Sequence, residues 1–194
     1  MKYTFLFFAF LYALNLKAQT NMDTELPYRT IPENPKEYTA CTVAARAIDG
    51  LGFRYYWATD GLRTEDLSYK PNEEARNTEA TIDHIYGLAL MIHNTMLKKE
   101  HLRDEAYTAL SFAEKRANTL KMLKEASDIL KKSQPKDMEE FKIRFATSEV
   151  PFWNLMNGPI EDAVWHVGQV VSFRRSSGNP FNPKVNVFMG TVKE

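Results

Sequence analysis

The sequence has a single cysteine, Cys41, which excludes an intrachain disulfide. A chain of this length can bury a core without one. It has no excess of charge of either sign: 25 Lys and Arg stand against 25 Asp and Glu. A chain so balanced lacks the basic footprint of sequence-independent nucleic-acid binding, so no nucleic acid is expected as a partner. It has no apolar run of the ~20 residues that a spanning helix needs. Internal repeats, low-complexity segments and linker-like stretches are also missing.

What is present begins with a short basic start, Met1-Lys2, followed by an almost wholly apolar stretch from Tyr3 to Leu14. That stretch is too short for a membrane span and leads to Ala18, with Leu16 two places before it. This is the pattern of a secretory signal peptide cut after Ala18; an uncleaved anchor or a buried helix is the alternative. Cleavage would remove Lys2 and Lys17 and tip the balance by two charges toward acid. The remaining chain, from Gln19, suits one domain, exported to the periplasm or the exterior. No lipid-attachment cysteine follows the cleavage point, so no membrane anchor is expected. Cys41 sits in the apolar context YTACTVAA and reads as a small core residue, with a reactive thiol or an intermolecular bridge as the alternative.

Residues 19–33 are polar with two prolines and read as an extended arm. Asn34-Pro35 predicts a helix start, and Tyr38, Cys41, Ala45, Ile48, Leu51 and Tyr55 recur at helical spacing toward Gly61. Gly50 and Gly52 weaken that helix and permit close packing. Thr64-Glu65-Asp66-Leu67 reads as a capped single turn, and Pro71 to Asn77 as a loop. A second helix is predicted from Thr78–Ala80 to about Lys99, and a third over roughly 102–132, with Leu120, Leu123 and Leu130 in its stripe. A fourth starts at Asn157-Gly158-Pro159 and stops at Arg174-Arg175, Gly178 and Pro180, where cations, then glycine, then proline terminate a helix. Phe141–Phe145 and Val185–Met189 each alternate apolar and polar residues, a strand pattern, and are expected to pair with each other. Four substantial helices make an all-α four-helix bundle the economical architecture, with two short strands toward the C-terminus.

The candidate chemistry lies on the second and fourth helices. Asp162 and His166 are four apart and share a face, which Gln169 continues. His166 lies about 100° from the centre of the apolar stripe of its helix, and His84 lies similarly off the stripe of its own. Both therefore sit on the flank of a buried face. His93 is turned to the other side of its helix from His84; His93 and His101 read as surface or rim residues, and Arg174 and Arg175 as helix-end cations. Two imidazoles and one carboxylate suit a divalent transition metal with open positions for water or substrate. The same spacing equally suits a flank histidine bonded to a neighbouring carboxylate.

Three stretches resemble a known family. They are GLRTEDLSYKPNEEARNTEATIDHIYGL at 61–88, FAEKRANTLKMLKEASDIL at 112–130 and VPFWNLMNGPIEDAVWHVGQVVSFRRSSGNP at 150–180. In order and spacing they are similar to the DinB/YfiT-like superfamily of four-helix bundles, over about residues 36–180. Those proteins carry a loop of the xEDLxxKP kind, a histidine early in the second helix, and a His-x-x-x-His pair before Gly-Gln in the fourth. The resemblance places His84 at the first position and His166 at the second histidine of the pair, while Asp162 stands where the first would be. It thus implies a metal site of His84, Asp162 and His166, for zinc, nickel, iron or manganese. The carboxylate either gives a harder site or marks one that has decayed. The superfamily includes thiol-dependent transferases and isomerases, and an exported protein meets little such thiol. Two readings follow: a metal-dependent hydrolase or transferase acting on a small molecule, with Tyr86, Trp165 or Gln169 orienting it, or a non-catalytic binding or stress-related protein. A homodimer is compatible with either.

Overall fold

The computed structural model describes residues 26–102 and 109–193. The signal-peptide reading of 1–18 therefore lies outside the described residues. The chain is mainly helical, with two small antiparallel strand pairs. Four longer helices carry the core: α1 (Ala40–Thr59), α3 (Thr78–Met96), α4 (Phe112–Lys132) and α6 (Glu161–Ser176). Two short ones, α2 (Thr64–Ser68) and α5 (Phe152–Leu155), connect them. Helices α1 and α3 each pack against both α4 and α6. Ile48, Leu51, Ile85, Ile92, Leu120, Leu123, Leu130 and Val170 meet in one core, which also swallows Cys41.

Helix starts follow side-chain caps more closely than proline positions. The expected start at Asn34-Pro35 is wrong: α1 begins at Ala40, because Thr39 and Thr42 cap each other's backbone N–H groups at 3.2 and 2.8 Å. Such a reciprocal box satisfies two donors that a helix N-terminus otherwise leaves bare. Tyr38, read as part of the stripe, is 98% exposed. The third predicted helix also starts late. Ser111 and Glu114 form the same kind of box, so α4 begins at Phe112, and Leu102 is exposed. The start of α3 is as expected, with the Asn77 side chain accepting from the Ala80 N–H at 2.8 Å.

The fourth predicted helix does not start at Pro159. The helical path begins at Phe152 and runs through a π turn, Met156–Ile160, into α6. Proline inside a regular α-helix clashes with the carbonyl four residues back; the wider turn gives it room. The expected pairing of Phe141–Phe145 with Val185–Met189 is also overturned. Strand β1 (Ile143–Phe145) pairs with β2 (Ser148–Val150), and β3 (Val185–Asn186) with β4 (Thr191–Val192). Each partner is a few residues away, so closing the hairpin costs little chain entropy. Val187, Phe188 and Met189 form an exposed tip rather than a strand face.

The described part of the arm is not extended. It bends at Leu26–Thr30 and packs on α1, with Tyr28 buried in a left-handed conformation (φ 75°). Its hydroxyl donates to Asp49 Oδ1 at 3.1 Å, and the buried Asp49 is paired with Lys131 Nζ at 2.7 Å. The Tyr28 ring lies on Gly52, where any Cβ would collide with it. The arm is further held by Trp57 Nε1, which donates to the Arg29 carbonyl, and by the Ile31 N–H, which donates to the Gly190 carbonyl at 2.8 Å.

A prediction follows for Gly52→Ala. In a helix interior alanine is about 1 kcal/mol better than glycine, yet the overpacked Tyr28 ring should produce a net loss of about 1–3 kcal/mol. Urea unfolding would measure it. Tyr28→Ala should cost less in the Gly52→Ala background than alone, since the two share one contact; full additivity would show that the ring and the glycine do not interact.

Candidate metal centre

The rotation of α3 decides where His84 points. Its neighbour Asp83 is paired with Lys115 of α4 at 2.6 Å, and Ile85 is fully buried. Near the other end of α3, His93 Nε2 lies 2.8 Å from Glu125 Oε2 of α4. With these residues committed to α4 and the core, His84 falls on the flank facing α6. On α6, Ala163, Val167 and Val170 are buried, which puts Asp162 and His166 on the flank facing α3. The π turn ends one residue before α6 begins and packs on α3 as well.

The three sequence-predicted residues come together. His84 Nε2 is 3.0 Å from Asp162 Oδ2, and His166 Nε2 is 3.3 Å from Asp162 Oδ1. The two imidazoles meet edge to face, centroids 4.6 Å apart. One ligand atom from each residue lies within 4.8 Å of the others, close enough to hold one metal ion. The side chains of His84 and Asp162 are 36% and 37% exposed and that of His166 is 15% exposed. The group is thus backed by protein on the His166 side and reached by solvent on the other.

Gln169 fixes the imidazole of His166. Its Oε1 lies 2.7 Å from His166 Nδ1, and a side-chain amide oxygen can only accept. Nδ1 therefore carries a proton, and Nε2, which faces Asp162, is the ring atom left for a metal. Metal-ligating histidines are commonly held by such a bond from the second ring nitrogen. The sequence pattern places Gln169 on this same face, where the expected role is to orient a substrate. The signal was its spacing of three from His166. Of the other candidates, Tyr86 is buried, and Trp165 is 72% exposed. His93 and His101 do not join the site. His101 meets Phe145 edge to face, and burial lowers its pKa.

Arg174 is not the exposed helix-end cation expected from the sequence; it is buried against the end of α1. Its Nη1 donates to the carbonyls of Trp57, Ala58 and Asp60 at 3.0, 3.0 and 2.9 Å, and its Nε to the Asn179 carbonyl at 2.7 Å. Helix α1 has no basic residue in its own last turn, so α6 supplies the cation that its C-terminal carbonyls favour. Close by in the chain, the wholly buried Asp66 accepts from Arg63, Ser177 and Asn179. These bonds, that from the Arg63 side chain foremost, hold its carboxyl well below the usual carboxylate range.

Comparison with protein-family models, curated proteins and solved structures finds no match.

Proposed function

We propose that this chain is a DinB-like four-helix-bundle protein in which His84, Asp162 and His166 bind one divalent transition metal. The observation carrying this reading is the convergence of three ligand atoms from two helices on one small, half-open space. Support for the family reading is the mutual packing of four longer helices, with the histidine of α3 facing the Asp-x-x-x-His pair of α6. An ion held there by His84, Asp162 and His166 would lower the pKa of a bound water and polarise an oxygen, the chemistry of a hydrolase or transferase acting on a small molecule. The chain's own part is to present two imidazoles and one carboxylate. Gln169 keeps His166 Nε2 aimed inward, and the exposed side admits the substrate. The apolar leader supports export, with a mature N-terminus at Gln19.

The test is metal content. Purified full-length protein, dialysed against zinc, nickel, iron(II) or manganese, should retain about one equivalent of at least one of them. The double variant His84→Ala/His166→Ala should retain none. Equal content in both proteins would place any metal elsewhere. No retained metal in the wild type would leave the three residues as a hydrogen-bonded staple between α3 and α6, favouring a non-catalytic protein.

A further inference from the structure

A cleft lies on the other side of α6. At 100° per residue, Val164, Gly168, Val171 and Arg175 share one face of this helix, and Asp162, His166 and Gln169 the opposite one. The first face, together with α1 and the C-terminal hairpin, encloses a cleft of about 420 Å3. That lies within the ~300–1,000 Å3 of small-molecule sites. Its walls include Phe53, Trp57, Val167, Val171 and Phe181. Two arginines also line it, Arg54 from α1 and Arg175 from α6.

These two cations differ from others of the molecule. Arg63 is paired with Asp66, Arg116 with Asp60 and Arg144 with Glu149. Arg54 instead donates to the Gly50 carbonyl of its own helix at 3.0 Å, and Arg175 lies over the Phe181 ring, 5.3 Å from its centroid. Neither meets a carboxylate among the described residues. A planar guanidinium matches a carboxylate through two parallel hydrogen bonds, and each of these two retains N–H groups for that purpose. The cleft therefore joins an apolar wall to uncompensated positive charge, which is the complement of an amphipathic anion.

We propose that this cleft binds a medium-chain monocarboxylate. Its alkyl chain lies along Val164, Val171 and Phe181, and its carboxylate is drawn by the positive charge of Arg54 and Arg175. The proposal is independent of the metal reading, since the two sites occupy opposite faces of α6.

Isothermal titration of the full chain with decanoate tests it. Saturable one-site binding is expected, weakened at least tenfold in Arg54→Gln/Arg175→Gln. Gly168→Phe should abolish it: the space around Gly168 is open, so the new ring can enter the cleft without distorting α6. Both variants should keep the wild-type far-UV spectrum and metal content. Absence of binding to the wild type would overturn the proposal. So would equal binding of 1-decanol or decyltrimethylammonium, unchanged affinity in the double arginine variant, or decyl phosphate binding tenfold tighter than decanoate.

Discussion

Arg174→Met is expected to destabilise the protein by about 2–3 kcal/mol, the scale of losing hydrogen bonds from a charged donor and leaving buried carbonyls unsatisfied. Methionine fills a similar volume, so the loss reports the polar contacts. The carbonyls of Trp57, Ala58, Asp60 and Asn179 would all lose a donor together, and a buried group left unsatisfied costs about 1–3 kcal/mol. Urea unfolding would give the value; a loss under about 1 kcal/mol would show that water replaces the guanidinium. Arg174→Lys should recover only part of it, since an ammonium is a point charge without the planar fork. The neighbouring Asp66 adds a pH dependence whose sign is fixed. Its folded pKa is depressed, chiefly by the Arg63 side chain. Its contribution is therefore fully present above the unfolded value of about 3.9 and is lost as pH falls toward the folded value. Asp66→Asn should be less stable than wild type at pH 7. Its stability should also fall less steeply below about pH 4. Parallel pH profiles would contradict the depressed carboxyl.

Removing His84 alone is expected to abolish metal retention, although Asp162 and His166 remain in place on α6. Two ligands four residues apart on one helix form only part of the site, and His84 is the sole ligand supplied by α3. A graded result is expected one step further out. Gln169→Leu keeps all three ligands but frees His166 to rotate and to change tautomer. Loss of such an outer partner typically costs 10–100-fold in affinity, readable by competition with a chromophoric chelator. Asp162→His should still bind and should shift preference toward softer metals. If Gln169→Leu binds as the wild type does, the His166–Gln169 bond is a packing detail and not a support of the site.

The candidate site was legible because it needs only helix phase. His84, Asp162 and His166 lie on the flanks of apolar stripes, and the flanks of packed helices face one another. The role of Arg174 was written in the same periodicity and was masked by a stronger local signal. Ala163, Val167, Val170 and Arg174 are the buried residues of α6, at spacings of three and four. The stripe thus continues straight onto the arginine, but the following Gly178 and Pro180 make it read as a solvent-facing terminus. Starts and strand partners were less legible for another reason. Thr39–Thr42 and Ser111–Glu114 compete with prolines and apolar residues upstream, and satisfied caps win by energies too small to rank from sequence. The alternation in VNVFM is real, but a five-residue pattern does not say which segment lies beside it.

The clasp between Ile31 and Gly190 bears on the order in which the molecule can be assembled. Nearly the whole described chain separates these two residues, and Gly190 is left-handed (φ 69°), with no room for a Cβ against Ile31. Synthesis proceeds from the N-terminus. Tyr28 can find Asp49 and Gly52 as soon as α1 exists, while the Ile31 strut must wait for Gly190. Non-local contacts of this kind form slowly, because a long loop must close before they contribute. The arm is thus seated twice: early, by a ring on a helix, and much later, by a backbone bond that registers the arrival of Gly190.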